Sequence, residues 1–314
     1  MKKNVNILLI GGGNRYSLAK SFIKSGKKRN ISINIFSYDL DEYNPISIIA
    51  KSIIGKKWES NEIIEDLEQK IKSLKIHIII PCVDPAISLC LKLKDIIPKI
   101  FIATSNSKTC NILFNKQYTY DWALENSIPV AVPNKKSFPL IAKPIYGSAS
   151  KGLIFINNKC ELDQFLENHS TSEYNIQKFI NGIEYSVDVY TSILNNKIIS
   201  AVPRIRLAVS GGESVKSITV YNDRILKLTK QIVSKLKLKG PSVIQFIEDK
   251  KTQEIFLMEV NPRFGGAVIC SIGAGADLPG YLLDDYLGKE NKYLDSWIRG
   301  SLMVRYTKEY FKKI

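Results

Sequence analysis

The residues best suited to chemistry sit at the end of one apolar run. Residues 256–266 read FLMEVNPRFGG. In a strand, residues i and i+2 point to one face, so Glu259 and Asn261 present two oxygens side by side. Gln245, fourteen positions earlier in the preceding strand of a presumed hairpin, supplies a third. A few hard oxygen donors, with room left for phosphate and water, suit Mg²⁺ or its substitute Mn²⁺ rather than zinc. Pro262 has no N–H to donate and stops the ladder. Arg263 then stands beside the metal corner, where a guanidinium binds phosphoryl or carboxylate oxygens. Taken alone, the stretch also fits a solvated strand end.

Three other stretches carry related chemistry. LIAKPIYGSASKGL (140–153) leads a strand through Lys143 into a loop of small residues, Gly147, Ser148, Ala149 and Ser150. Small residues let backbone amides approach phosphates, and a lysine adds a point charge. The order of residues is not that of a Walker loop, and an ordinary hairpin turn fits the stretch as well. IQKFINGIEYSVDVY (176–190) turns at Asn181-Gly182 and returns through Glu184, which could accept the two hydroxyls of a ribose or lie exposed on a hairpin. PRIRLAVSGGES (203–214) puts Arg204 and Arg206 on one strand face, where they could hold a substrate carboxylate or face solvent. Asp84, in PCVD after a buried run, is a weaker substrate candidate at a strand's C-terminal end.

The elements that must position these residues fall into two styles. Over the first hundred residues, strand patterns at 6–10, 31–39, 76–81 and 99–104 alternate with helical patterns at 17–25, 62–74 and 85–97. Such alternation predicts a parallel sheet with helices on both faces. Residues 104–134 read as helical, with Asn106 and Asn115 as caps. From 138 onward the pattern is that of antiparallel strands, broken by a helix at 223–238. The expected fold class is an α/β lobe followed by an α+β region, divided at 1–105, 106–181 and 182–314. Gly11-Gly12-Gly13, with Asp39 after the second strand, suggests a dinucleotide site, but Tyr16 stands where the fingerprint needs Gly or Ala. A glycine turn that merely starts a helix accounts for it better.

Composition narrows the classes. A formal charge of +15 favours anionic partners, yet the basic residues form no block or aromatic-interleaved stripe, so neither nucleic acid nor a membrane is expected. The apolar runs are too short to span a bilayer. Five scattered cysteines without CxxC point to reduced thiols and a cytoplasmic setting, and two histidines leave little for a zinc site.

A lysine opening a helix, Lys-Pro with a small-residue loop, Gly-x-Glu after a hinge strand, then Q-x₁₃-E-x-N-x-R: this order resembles the ATP-grasp superfamily, in particular its carbamoyl-phosphate-synthase-like branch. The resemblance covers nearly the whole chain. It implies ATP as the nucleotide, bound by Lys116 and Lys143, a lid at 146–152, an adenine hinge at Gln177, Phe179 and Ile180, and Glu184 at the ribose. It implies Gln245, Glu259 and Asn261 as magnesium ligands, and Arg263 with Lys143 as catalytic groups. The implied activity is ATP-dependent ligation of a small carboxylate to an amine through an acyl phosphate, with a homodimer as the assembly to test. Lys178 and the neutral Gln245 depart from the usual pattern. A non-catalytic nucleotide-binding regulator and an NAD(P)- or nucleotide-sugar-binding protein are the alternatives.

Overall fold

The computed structural model describes residues 3–134, 137–147, 152–170 and 172–311. The N-terminal lobe comprises β1 (Lys3–Ile10), α1 (Tyr16–Lys28), β2 (Ile31–Asp39), a 3₁₀ turn (Pro45–Ile48), β3 (Lys51–Ile54), α2 (Ile63–Ser73), β4 (Ile78–Pro81), α3 (Asp84–Ile96) and β5 (Phe101–Ile102). Its sheet is parallel, in the order β3-β2-β1-β4-β5. Chain direction across the sheet reverses at β1, and the loops leaving β1 and β4 open into the same crevice. One loop carries Arg15 and the other Asp84.

Next come α4 (Ser107–Phe114) and α5 (Lys116–Glu125). Asn106 and Asn115 cap them, as expected. The chain from 126 to 134 is not helical, which shortens the expected helical region. A three-stranded antiparallel sheet follows, from β6 (Leu140–Pro144), β7 (Ile154–Ile156) and β8 (Tyr174–Lys178), with α6 (Lys159–Asn168) between β7 and β8. The last sheet has the order β13-β12-β9-β10-β11-β14. Its strands are β9 (Gly182–Thr191), β10 (Ile198–Ser210), β11 (Glu213–Thr219), β12 (Gly240–Asp249), β13 (Ile255–Asn261) and β14 (Leu302–Val304). Helices α7 (Asp223–Leu236), α8 (Val268–Gly273) and α9 (Leu278–Tyr286) complete the chain.

One apolar cluster ties the lobes together. Val5, Ile7, Leu9 and Phe22 of the parallel lobe pack with Tyr190, Val202, Phe264 and Leu282. Phe264 is fully buried, and its ring meets Phe22 edge to face at 5.9 Å. Burying a side chain of that size contributes roughly 1.5–3 kcal/mol. The residue before it, Arg263, is thereby held at the junction.

The glycine turn is structural. Gly11 has φ +72, and a Cβ on Gly12 would lie 2.6 Å from Leu9 Cβ and 2.8 Å from Ser37 Oγ. The Asp39 carboxylate accepts from Gly13 N–H at 3.1 Å and from the Ser37 hydroxyl. It braces the turn rather than waiting for a ribose. Burial, only partly offset by these bonds, raises its pKa above the usual aspartate value. Protonation is therefore favoured by folding, and the stability it contributes is lost as pH rises through the folded pKa. Asp39→Asn keeps an acceptor without the charge. Its melting temperature relative to the native chain should rise from about pH 4 upward and level off towards neutrality. A difference that stays flat from pH 4 to 7 in thermal scans would contradict this.

Candidate active site

A cavity of about 550 Å³ lies between the lobes. Lys116, Lys143, Gly147, Gln177, Gln245, Glu259, Asn261, Arg263, Asp84, Arg204 and Arg206 all line it. Phe179, Ile180 and Glu184 do not, and Ser148, Ala149 and Ser150 lie outside the described residues. Tyr146, the first residue of the expected lid, lines it too, as do Arg15 and Glu213, which were not singled out from sequence.

The oxygen corner comes from strand register. Gln245 on β12 pairs directly with Glu259 on β13, and Val243 with Asn261. The next pair, Phe246 with Leu257, skips Met258, which is the extra residue of a β-bulge. The bulge lets Leu257 and Val260, an odd spacing apart, join one apolar cluster while Glu259 and Asn261 face the cavity. Burial raises the Glu259 pKa, Asp84 adds to the rise, and Lys116 and Arg263 oppose it. The set offers one carboxylate and two amides, and among the described residues no group of three or more His, Cys, Asp or Glu stands together. That fits a magnesium ion sharing its shell with phosphates, not an all-protein cage.

The lysines are placed by their surroundings. Asn115 Oδ1 accepts from the backbone N–H of Gln117 and Tyr118, which makes Lys116 the first residue of α5. Lys116 Nζ donates to the carbonyls of Pro144 at 3.0 Å and Gly147 at 2.7 Å, tying the end of β6 and the start of the loop after it to α5. Lys143 Nζ donates to Gln177 Oε1 at 2.8 Å. Gln177 thus braces the lysine from the neighbouring strand. Burial lowers the pKa of both lysines, and Glu259 is the largest influence opposing it. After β8, Ile180 is buried, Phe179 N–H donates to Pro139 O, and the Phe179 ring packs against Phe155.

Arg263 Nε donates to Asp84 Oδ1 at 2.6 Å, joining the two lobes. Burial alone would lower the Arg263 pKa, but Asp84 and then Glu259 outweigh it and the net direction is up. A second bridge joins Arg15 to Glu213 at 3.5 Å, and Glu213 also meets Arg305 at 2.7 Å.

Of the two arginines expected to hold substrate, Arg204 requires correction. It is 3% exposed and its guanidinium binds Asp188 (Nε to Oδ2, 2.8 Å), with Ser214 and Ser217 at 3.4 Å. Ser271 donates to the same aspartate. Arg204 is the internal counter-ion of Asp188. Arg206 reaches instead to Glu184 and Gln245.

Comparison with known proteins agrees with this geometry. Residues 171–309 match the family model described as ATP-grasp in the biosynthetic pathway with Ter operon. Over those residues the chain is similar to ATP-grasp proteins. It is 26% identical over 169 residues to the carbamoyl phosphate synthase large chain of Clostridium acetobutylicum, a match covering 50% of this chain but 16% of that one. Its fold is similar to N5-carboxyaminoimidazole synthetase from Staphylococcus aureus complexed with ADP (TM-score 0.73, 20% identity, 93% of this chain and 80% of that one). It is also similar to the biotin carboxylase domain of Hydrogenobacter thermophilus 2-oxoglutarate carboxylase, a structure with MgADP and bicarbonate (TM-score 0.74, 14% identity, 94% and 72%).

A structural role for Arg204 has a direct consequence. Removing one partner of a buried pair typically costs about 3–5 kcal/mol. Arg204→Ala should lower the urea midpoint, at unchanged slope, by that free energy divided by the slope. An unchanged midpoint with weakened carboxylate binding would restore the substrate role.

Proposed function

We propose that this chain is an ATP-dependent ligase that joins a small carboxylate to an amine through an acyl phosphate, giving an amide or peptide bond. One observation carries the proposal: Lys116, Lys143, Gln245, Glu259, Asn261 and Arg263, drawn from three sheets or helices far apart in sequence, line a single cavity. The two lobes and the fold's likeness to ADP-bound synthetases support it. So does the surplus of cationic side chains, six against three carboxylates in the lining.

In this reading Lys116 and Lys143 neutralise the triphosphate, and Glu184 takes the ribose. Magnesium, held by Glu259 and Asn261 with Gln245 nearby, would draw charge from the phosphates. The substrate carboxylate oxygen attacks the γ-phosphorus, ADP leaves, and a mixed anhydride results. The amine nitrogen then attacks the acyl carbon, loses a proton, and expels inorganic phosphate. Such chemistry depends on positioning and charge neutralisation more than on a protein nucleophile. No reactive thiol is needed: Cys82 beside the cavity is buried, and burial pushes its pKa up to about 11. Arg263, fixed by Phe264 on one side and Asp84 on the other, faces the charge that develops on the acyl phosphate.

The test is ADP release from Mg·ATP over a matrix of carboxylates and amines. We expect release that requires one carboxylate and is completed by one amine. Arg263→Ala should lower it on the order of 100-fold or more, with ATP-analogue binding largely kept. Glu259→Gln should weaken metal-dependent nucleotide binding itself. ATP binding without turnover for any pair would favour a nucleotide-sensing regulator.

A further inference from the structure

Arg206 makes four hydrogen bonds that bring together parts of the site the proposed reaction treats separately. From the middle of β10 its Nη1 donates to Glu184 Oε2 on β9 at 2.8 Å and to Gln245 Oε1 on β12 at 3.3 Å. Its Nε donates to Ser214 Oγ at 3.1 Å and its Nη2 to the Gly212 carbonyl at 2.9 Å, both at the tip of the β10–β11 hairpin. The side chain is only 10% exposed and lines the cavity.

We propose that the Arg206 guanidinium acts as a built-in cation at the phosphate corner, so that the chain binds a single divalent ion with its nucleotide. This rests on the nucleotide-binding reading above. The oxygen donors divide unequally. Glu259 and Asn261 are neighbours on β13 and already suffice, with phosphate oxygens, for one ion. A second ion on the other side of Glu259 would need the Gln245 amide oxygen. That oxygen is neutral, and it already accepts from a guanidinium that is permanently charged. A divalent ion there would share one amide oxygen with a fixed positive charge. The carboxylate that could offset it, Glu184, is already paired with the same arginine. Four of its five N–H donors are taken by protein oxygens, which leaves one on Nη2 for a phosphoryl oxygen, and the charge stays fixed whatever it binds.

The test counts bound Mn²⁺ by loss of the free-ion electron paramagnetic resonance signal, with one equivalent of AMP-PNP per chain. The native chain should bind one Mn²⁺ per complex. Gln245→Glu should still bind one, because Arg206 pairs with the new carboxylate. Gln245→Glu combined with Arg206→Ala should bind two. Two ions in the native chain would overturn the proposal whatever the variants do. It is also overturned if Gln245→Glu alone gains the second ion, since the neutral amide would then be the cause, or if the double variant stays at one. Failure of the native chain to bind AMP-PNP, read from a separate nucleotide titration, would remove the nucleotide-binding reading along with this one.

Discussion

The ion pair between Arg263 and Asp84, 2.6 Å across the junction of two lobes, is the contact on which the site's geometry depends. In the proposed reaction this arginine meets a transient anhydride and cannot be left to roam, since long side chains lose about 2 kcal/mol of rotamer freedom when fixed. Here that ordering is done in advance. Phe264 is locked into the apolar cluster with Phe22, and Asp84 stands at the first turn of α3, where its own backbone is fixed. The parallel sheet therefore does more than support the larger region. The loop leaving β4 supplies Asp84, which aims the guanidinium, and the loop leaving β1 supplies Arg15, which reaches Glu213 on the β10–β11 hairpin.

Burial sets the unusual electrostatics of the cavity. Lys116 and Lys143 are pushed down by burial, Glu259 is pushed up by burial, and each is partly relieved by the other. Buried charges of this kind cost stability unless paired, and a protein keeps them where a ligand completes the balance. In the proposed function that ligand is a triphosphate with one divalent ion. It would bring several negative charges to lysines whose partners among the described residues are carbonyl and amide oxygens. By contrast Asp188 and Arg204, equally buried, are matched to each other and to three serines, and have no charge left to offer.

How much of this is legible in the sequence follows from the range of the interactions. Glu259, Asn261 and Gln245 are legible because strand alternation and one hairpin relate them, and those are local rules. Asn106 and Asn115 are legible as caps for the same reason. The helix α6 has a signal as well: Asn158 Oδ1 accepts from Glu161 N–H as an N-cap, and the Glu161 carboxylate accepts from the Asn158 side-chain amide and from Asn157 N–H. The bulge at Met258 has no local signature, because it is set by which residues the α5 and α7 side of the sheet will bury. Arg15 and Glu213 are likewise silent: one follows a glycine turn and the other precedes a serine, and only the packing of the lobes brings them to 3.5 Å. Arg204 and Arg206 are the sharpest case. The i, i+2 spacing places both on one strand face, but it says nothing of which acceptors the neighbouring strands present there.

Those acceptors are fixed by register. On β9, Ser186 lies opposite Arg204 on one side and Gln245 on the other, with Asp188 two residues along and Glu184 two residues back. Two carboxylates four residues apart on one strand thus meet two arginines two residues apart on the next. The deeper pair, Asp188 with Arg204, is enclosed by Ser271 and the hairpin serines and is spent on holding the sheet. The outer pair, Glu184 with Arg206, stands where the strands reach the cavity, and its carboxylate side chain is 39% exposed. Burial alone, graded along one strand, divides a repeated motif into a structural half and a half left open to a ligand.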